Sequence, residues 1–225
     1  MSKLALVTFL IVTLVLAEAI SLVQIYFSLT SNANYWRERS SQTGELTYVA
    51  LGDSAAQGIG ASRPANGYVG LLAGRLAEKT GKTIRVVNLS VSGAKIKDVI
   101  DKQIPQIAGY RPDFVTIEVG ANDIVKFDAV SFSSQYNQLI TLLPNNTIVS
   151  NMPNFGGRIK RDKAVMAANK IIAAAAAKRH LRVADLYSYT KNNESPLNYA
   201  ADFFHPSNRG YRNWANAFWV NLNSM

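Results

Sequence analysis

The residues of this sequence best suited to chemistry are one serine, Ser54, and an aspartate–histidine pair much further along the chain. Asp202 precedes His205 by three residues, which is close enough for the carboxylate to orient the imidazole ring and to stabilise its cation. A serine hydroxyl is a weak nucleophile until a base removes its proton, and His205 is a suitable base. These residue types together predict nucleophilic catalysis by a triad of Ser54, His205 and Asp202.

Attack of a serine on a carbonyl group creates an oxyanion, and three groups are candidate donors to it. They are the backbone N–H groups of Ser54 and Gly93 and the side-chain amide of Asn122. Glycine at position 93 allows the backbone to approach a substrate closely. Each feature also has a plain structural interpretation, because Gly-Asp-Ser is common in turns and Asn122 could cap a helix. The catalytic interpretation is favoured because all of these features occur together.

The same residues follow the strands of a regular alternation of strands and helices. This alternation predicts a mostly parallel sheet with helices on both faces, and such sheets bind ligands at the carboxyl ends of their strands. If the first strand is central, the loops that carry Ser54, Gly93 and Asn122 converge on one point. The predicted strands cover residues 47–51, 84–89, 113–119, 147–151 and 181–186, and the predicted helices cover 67–79, 96–108 with an interruption near Pro105, 131–143, 161–179 and 207–221.

Four short blocks of residues occur in the order that is typical of the SGNH hydrolase superfamily, also called the GDSL esterases and lipases. One block alone would be a weak signal, whereas four in order, each after the right element, are specific. The sequence resembles this superfamily over about residues 46–222. The blocks are Gly52-Asp53-Ser54, Gly93, Gly120-Ala121-Asn122-Asp123 and Asp202-Phe203-Phe204-His205.

The resemblance carries expectations about fold and activity. It implies a three-layer α/β/α sandwich with a flavodoxin-like parallel sheet of about five strands in the order 2-1-3-4-5. It implies hydrolysis of carboxylic esters through an acyl-enzyme, with no metal and no cofactor. One small departure is Ala55, where the family commonly has leucine after its serine; the smaller side chain would widen the space near the nucleophile.

The amino-acid composition limits the kinds of metal site and binding partner that can be expected. Cysteine is absent and histidine occurs only at His180 and His205, which excludes a disulfide framework and a thiolate metal site. The net charge is +9, and eight basic residues fall within residues 158–182 against Asp162 alone. A solvated helix face is the favoured interpretation of that segment, and attraction to anionic lipid or polyanionic wall polymer is the alternative. No aromatic interleaving or nucleic-acid-binding motif accompanies the charge, so no nucleic-acid partner is predicted.

The amino-terminal residues 4–29 form an apolar run that contains one ionisable side chain, Glu18. Twenty-six helical residues at 1.5 Å each exceed the hydrocarbon core of about 30 Å, so a membrane anchor is favoured. The alternative is a signal peptide that is cleaved near Ala19. Apolar character continues past Ala19, which favours the anchor, and both interpretations place the remaining chain outside the cytoplasmic membrane.

The expected organisation is therefore an anchor or signal peptide over residues 1–29, a polar linker over 30–46 and a hydrolase domain over 47–225. Within the linker, Tyr35 and Trp36 could lie at the membrane interface or pack on the domain. The loops at 58–66 and 151–158 are expected to line the pocket.

The leading functional prediction is an extracytoplasmic serine esterase that acts on an acylated sugar, a lipid or a small ester. Two alternatives remain open. An acyltransferase would use the same triad and pass the acyl group to a hydroxyl instead of water. A membrane-tethered, non-catalytic module would bind a polyanion or the cell wall through the basic segment.

Overall fold

A parallel sheet of five strands forms the centre of the computed structural model, which describes residues 2–156 and 161–225. The strands lie in the order β2-β1-β3-β4-β5, and every neighbouring pair is parallel. This confirms the order 2-1-3-4-5 expected from the resemblance. The strands are β1 (Leu46–Gly52), β2 (Ile84–Asn88), β3 (Phe114–Glu118), β4 (Thr147–Ser150) and β5 (Arg182–Ala184).

The strands form because short runs rich in β-branched residues are buried on both faces, which is typical of parallel sheets covered by helices. Alternate residues of β1 separate the two layers. Val49 and Leu51 pack into the layer formed by α3 to α7, whereas Tyr48 and Ala50 pack into the layer formed by α2, α8, α9 and the end of α1. The helices are α1 (Lys3–Ser40), α2 (Tyr68–Thr80), α3 (Ile96–Asp98), α4 (Ile104–Ile107), α5 (Ala121–Ile124), α6 (Ala129–Leu142), α7 (Asp162–Lys178), α8 (Leu186–Asn192) and α9 (Asn208–Leu222).

The segment between α3 and α4 is where the predicted helix over 96–108 departs from regular geometry. Residues Val99–Gln103 form a π-helical turn immediately before Ile104–Ile107. Pro105 lacks the N–H that would continue an α-helical ladder, which accounts for an irregularity at this point. The turn directs Gln103 towards the end of β1, where its side chain is buried. The short helices α5 and α8 were not predicted, because single turns leave little apolar periodicity in a sequence.

The amino-terminal helix differs from the expected linker over 30–46. Helix α1 continues without interruption to Ser40, so that only residues 41–45 connect it to β1. Asn32 and Trp36 are buried, and each donates a side-chain hydrogen bond of 3.0 Å to the carbonyl oxygen of Gln57. The linker prediction was wrong because polar composition does not reveal that two residues spaced by four positions can face a neighbouring surface.

The apolar part of α1 has the properties of a membrane span. The helix from Ala5 to Ser40 contains an 18-residue window with a mean hydropathy of 2.5, and none of that window is buried against the rest of the chain. Length and composition thus permit this helix to cross a membrane. Of the basic segment, Arg158 and Lys160 lie outside the described residues, as does the end of the predicted pocket loop 151–158.

Candidate active site

Ser54 is positioned by a tight turn at the end of β1, and Gly52 makes that turn possible. Gly52 has a φ of 140°, and a Cβ atom built there would lie 2.1 Å from the carbonyl oxygen of Glu118, so that only glycine fits. The Gln103 side chain binds both backbone groups of Gly52, accepting from its N–H at 2.9 Å and donating to its oxygen at 2.8 Å. The candidate nucleophile Ser54 therefore follows a turn in which both backbone polar groups of Gly52 are hydrogen-bonded.

The predicted triad residues meet at the carboxyl edge of the sheet. The Ser54 hydroxyl lies 3.0 Å from Nε2 of His205, and Nδ1 of His205 lies 2.6 Å from Oδ2 of Asp202. Ser54 and His205 are 151 positions apart in the sequence. A proton on Nδ1 that is donated to Asp202 leaves Nε2 as an acceptor for the serine hydroxyl. The arrangement is that of a nucleophile, a base and an orienting carboxylate.

The loop before α9 keeps Asp202 ionised. Burial alone would raise the pKa of Asp202, but the hydrogen bond from His205 and the backbone N–H groups of Phe204 and His205 outweigh burial, and the pKa lies below its ordinary value. Those two N–H groups donate to Oδ1 of Asp202, each at 3.0 Å. The carboxylate is therefore available to stabilise an imidazolium cation at His205.

The three predicted oxyanion donors differ in their availability. The backbone N–H groups of Ser54 and Gly93 make no hydrogen bond to any described residue. Gly93 has a φ of 81°, in the left-handed region that favours glycine. The amide nitrogen of Asn122, by contrast, donates to Oδ2 of Asp53 at 3.2 Å and to the carbonyl oxygen of Ala94 at 3.1 Å. An oxyanion would have to compete with one of these acceptors for the Asn122 amide.

A second carboxyl group, which the sequence reasoning missed, lies behind the nucleophile turn. Glu118 ends β3 opposite Gly52 and is buried beside Asp53. Burial and the neighbouring Asp53 raise the pKa of Glu118 well above its ordinary value, and burial raises the pKa of Asp53 to about 6. Neither carboxyl oxygen of Glu118 has a hydrogen-bond partner among the described residues, so burial favours the neutral acid.

A small cavity adjoins the triad. It has a volume of about 40 Å³, enough for about three water molecules. Ser54 and His205 form one side, and Glu118 lies in its wall. The rings of Phe155 and Phe204 stack at 6.3 Å and form part of the lining. Of the two predicted pocket loops, residues 153–155 contribute to this lining, whereas residues 58–66 do not.

The ordered blocks and this geometry agree with a comparison against protein families. The model of the GDSL-like lipase/acylhydrolase family matches residues 50–212. The chain belongs to this family. The matched range contains Ser54, Gly93, Asn122, Asp202 and His205, and the resemblance stated from the motifs is thereby confirmed.

Two curated proteins are similar in sequence to part of this chain. The GDSL-like esterase Rv1075c of Mycobacterium tuberculosis is 34% identical over 94 residues, which are 40% of this chain and 29% of that protein. Esterase TesA of Pseudomonas aeruginosa is 34% identical over 84 residues, which are 37% of this chain and 41% of that protein. The aligned part of the chain thus spans less than half the length of these relatives.

Solved structures share the fold. The crystal structure of TesA has a TM-score of 0.66 and 22% identity, and the match covers 79% of this chain and 98% of TesA. Axe2, an acetylxylan esterase from Geobacillus stearothermophilus, has a TM-score of 0.64 and 21% identity, with coverage of 78% and 93%. At these identities the likeness concerns the three-layer fold.

Three neighbours of this site were not found from the sequence: Gln57, Gln103 and Glu118. The only signal for Glu118 was an acidic residue inside an apolar strand. Gln57 gave none, yet its side chain donates to the carbonyl oxygen of Ser90 at 2.9 Å and accepts from the Ser92 hydroxyl at 2.5 Å. Gln57 therefore connects the nucleophile turn to the loop that carries Gly93.

Proposed function

We propose that the chain is a serine esterase that hydrolyses carboxylic esters through an acyl-enzyme on Ser54. The observation that carries this proposal is the continuous set of contacts from the Ser54 hydroxyl through His205 to Asp202, at 3.0 and 2.6 Å. Membership in the GDSL-like family supports the same reaction class.

In the first half of the reaction, Nε2 of His205 takes the proton of the Ser54 hydroxyl while Oγ bonds to the ester carbonyl carbon. The carbonyl oxygen becomes an oxyanion within reach of the free N–H groups of Ser54 and Gly93. Collapse breaks the bond to the alcohol oxygen, and the imidazolium of His205 gives its proton to that oxygen. The alcohol leaves and the acyl group stays on Ser54.

In the second half, Nε2 of His205 takes a proton from water while the water oxygen bonds to the acyl carbon. Collapse of this second tetrahedral intermediate breaks the bond to Oγ of Ser54, which recovers a proton from His205. Asp202 remains ionised throughout and stabilises the imidazolium in both halves. The carboxylic acid leaves, and the enzyme returns to its starting state.

The size of the cavity supports short acyl groups as the substrate class. A volume of about 40 Å³ corresponds to about three water molecules, which suits an acyl group of a few carbons. A panel of p-nitrophenyl esters from acetyl to palmitoyl tests this assignment. The expected result is that kcat/KM is highest for acetyl to butyryl esters, and a maximum at long chains would contradict it.

Labelling by a fluorophosphonate probe tests the nucleophile. The wild-type chain should be labelled and should lose activity in step with labelling, whereas Ser54→Ala should take up no label. Ser134→Ala is the matched control, because Ser134 is an exposed serine on α6. Equal labelling of Ser54→Ala and wild type would overturn the proposal.

We further propose that α1 anchors the enzyme in the membrane with the catalytic part on the extracytoplasmic side. The support is the length and hydropathy of the helix and the exposure of its apolar window.

A further inference from the structure

A large groove separates the catalytic part of the chain from the outer end of the apolar helix. Its volume is about 990 Å³, within the range of sites that bind small molecules. One wall is the face of α1 that carries Ser21, Gln24, Ser28 and Ser31, and the other wall comes from residues 60–64, 200–201, 207–209 and 212. No residue lines both this groove and the cavity beside Ser54, so the groove is a separate site.

Positive charge dominates the wall opposite α1. Arg63, Arg209 and Arg212 all line the groove, and all three are exposed. None of their guanidinium groups makes a hydrogen bond or an ion pair with any described residue. The described lining contains no aspartate and no glutamate. Three unpaired guanidinium groups around one opening favour an anionic ligand, and a guanidinium is well matched to phosphate oxygens.

The level of the groove along α1 indicates where such a ligand comes from. About 20 helical residues cross the hydrocarbon core of a bilayer, so the apolar run that starts at Leu4 would leave the core near Val23. Residues 24–31, which follow directly, form part of the groove wall. The hydroxyls of Ser21 and Ser28 donate to carbonyl oxygens within α1. The amide of Gln24 is suited to the headgroup layer, because burying an amide in hydrocarbon is costly. The groove thus lies at the level of lipid phosphates.

The framework of the groove is held rigidly. Asn208, at the start of α9, accepts from the backbone N–H of Ser62 and donates to the Ser62 hydroxyl, both at 2.9 Å. Tyr211 donates to the carbonyl oxygen of Ile59 at 2.6 Å. On the other side, α1 is fixed by the bonds from Asn32 and Trp36 to Gln57. Both walls are therefore in place before a ligand arrives, which reduces the entropic cost of binding.

We propose that this groove binds the phosphodiester headgroup of an anionic phospholipid from the bilayer that holds α1. The inference rests on the proposed membrane insertion of α1 and is independent of the esterase chemistry. The lipid is a ligand rather than a substrate, because the groove and the catalytic cavity share no lining residue. Its site does adjoin the catalytic loop, since Ala201 and Ser207 flank the segment that carries Asp202 and His205.

The test measures lipid binding by the full-length chain in detergent micelles, with native mass spectrometry as the readout. Phosphatidylglycerol and phosphatidylcholine of the same short acyl chains are titrated separately. The test variant is Arg63→Gln/Arg209→Gln/Arg212→Gln. The control variant Lys126→Gln/Lys163→Gln/Lys170→Gln removes the same charge from exposed lysines in the layer of α6 and α7.

We expect the wild type and the lysine variant to bind one phosphatidylglycerol at least about tenfold more tightly than phosphatidylcholine, and the arginine variant to lose this preference, since each basic residue near an anionic lipid contributes about a fivefold factor. An unchanged preference in the arginine variant, or an equal loss in the lysine variant, would overturn the proposal. So would displacement of the lipid by millimolar inorganic phosphate, because the site would then recognise free phosphate. Running all arms also in Ser54→Ala keeps the result independent of esterase activity.

Discussion

At the scale of single residues, the two histidines provide a direct comparison. His205 bonds to both Ser54 and Asp202, whereas His180 is exposed and follows the end of α7 with a φ of 53°. We expect His205→Ala to lower kcat by a factor of about 10³ or more, and His180→Ala to change it by no more than about twofold. Steady-state kinetics on a p-nitrophenyl ester, with circular dichroism to establish folding, checks this. A folded His180→Ala protein as inactive as His205→Ala would refute the assignment of the base.

Asp53 and Glu118 form a second pair of carboxyl groups, and the proton on this pair takes no part in the proposed reaction. Asp53 accepts from the backbone N–H of Ala55 at 2.9 Å and from the amide of Asn122 at 3.2 Å. A neutral Glu118 that donates to Asp53 would complete this set. The pair would then position Asn122, while Asp202 remains the carboxylate that touches the base.

The pH dependence of stability follows from the sign of these pKa shifts. The pKa values of Asp53 and Glu118 are raised on folding, so their contribution to stability is complete below the unfolded values near 4 and is lost as pH rises through about 6 and above. Glu118→Gln removes the titration of this side chain and places an amide N–H donor beside Asp53. We therefore expect its free energy of unfolding, relative to wild type, to rise between pH 4 and pH 8.

Urea unfolding of the full-length chain in detergent at several pH values measures this difference. Glu118→Leu serves as the comparison, since it removes both the titration and the donor. Parallel pH profiles for wild type and Glu118→Gln would show that folding does not raise the pKa of Glu118.

At the scale of elements, the end of α1 is a structural part of the catalytic unit. Asn32 and Trp36 both donate to the buried carbonyl oxygen of Gln57, and the Gln57 side chain bonds to Ser90 and Ser92. The helix is thereby connected to the loop that carries Gly93. Both hydrogen bonds end at the same acceptor, the carbonyl oxygen of Gln57. Loss of the two donors would leave this buried oxygen without a hydrogen-bond partner.

We expect Asn32→Ala/Trp36→Phe to lower the free energy of unfolding by about 1–3 kcal/mol, the cost of an unsatisfied buried carbonyl. Thermal or urea unfolding of the full-length chain provides the measurement. Tyr35→Phe is the control on the same helix, because it removes a hydroxyl that bonds to no described residue. An undiminished stability of the double variant would mean that these two hydrogen bonds contribute nothing to the stability of the fold.

At the scale of the whole molecule, the proposed anchor is tested by experiments that distinguish insertion of α1 into the membrane from electrostatic attraction to its surface. An inserted chain should sediment with membranes, remain there in high salt and alkaline carbonate, and keep its intact amino terminus by mass spectrometry. Salt is informative because attraction of basic surfaces to anionic lipid is screened within about 8–10 Å at physiological ionic strength. Recovery of a soluble protein that begins at Ile20 would establish cleavage and refute the anchor, without affecting the esterase proposal.

The sequence alone was sufficient where structure depends on local patterns. Apolar runs rich in β-branched residues located all five strands to within three residues at each end, and the alternation with helices predicted the parallel sheet. Ser54, Gly93 and Asn122 could be singled out because each lies in a short block after a strand, and Asp202 and His205 because they form one block before the last helix. Blocks of this kind are visible because a turn or loop at a strand end is determined by residues adjacent in the chain.

Tertiary structure decided the features whose partners are distant in sequence. Glu118 reaches Asp53 across two neighbouring strands, Gln103 holds Gly52 from a π-helical turn, and Trp36 docks a helix that composition assigned to a linker. The amide of Asn122, predicted as an oxyanion donor, bonds to Asp53 and Ala94. None of these contacts has a local signature, because burial, pKa and hydrogen-bond partners are set by the side chains that packing brings together.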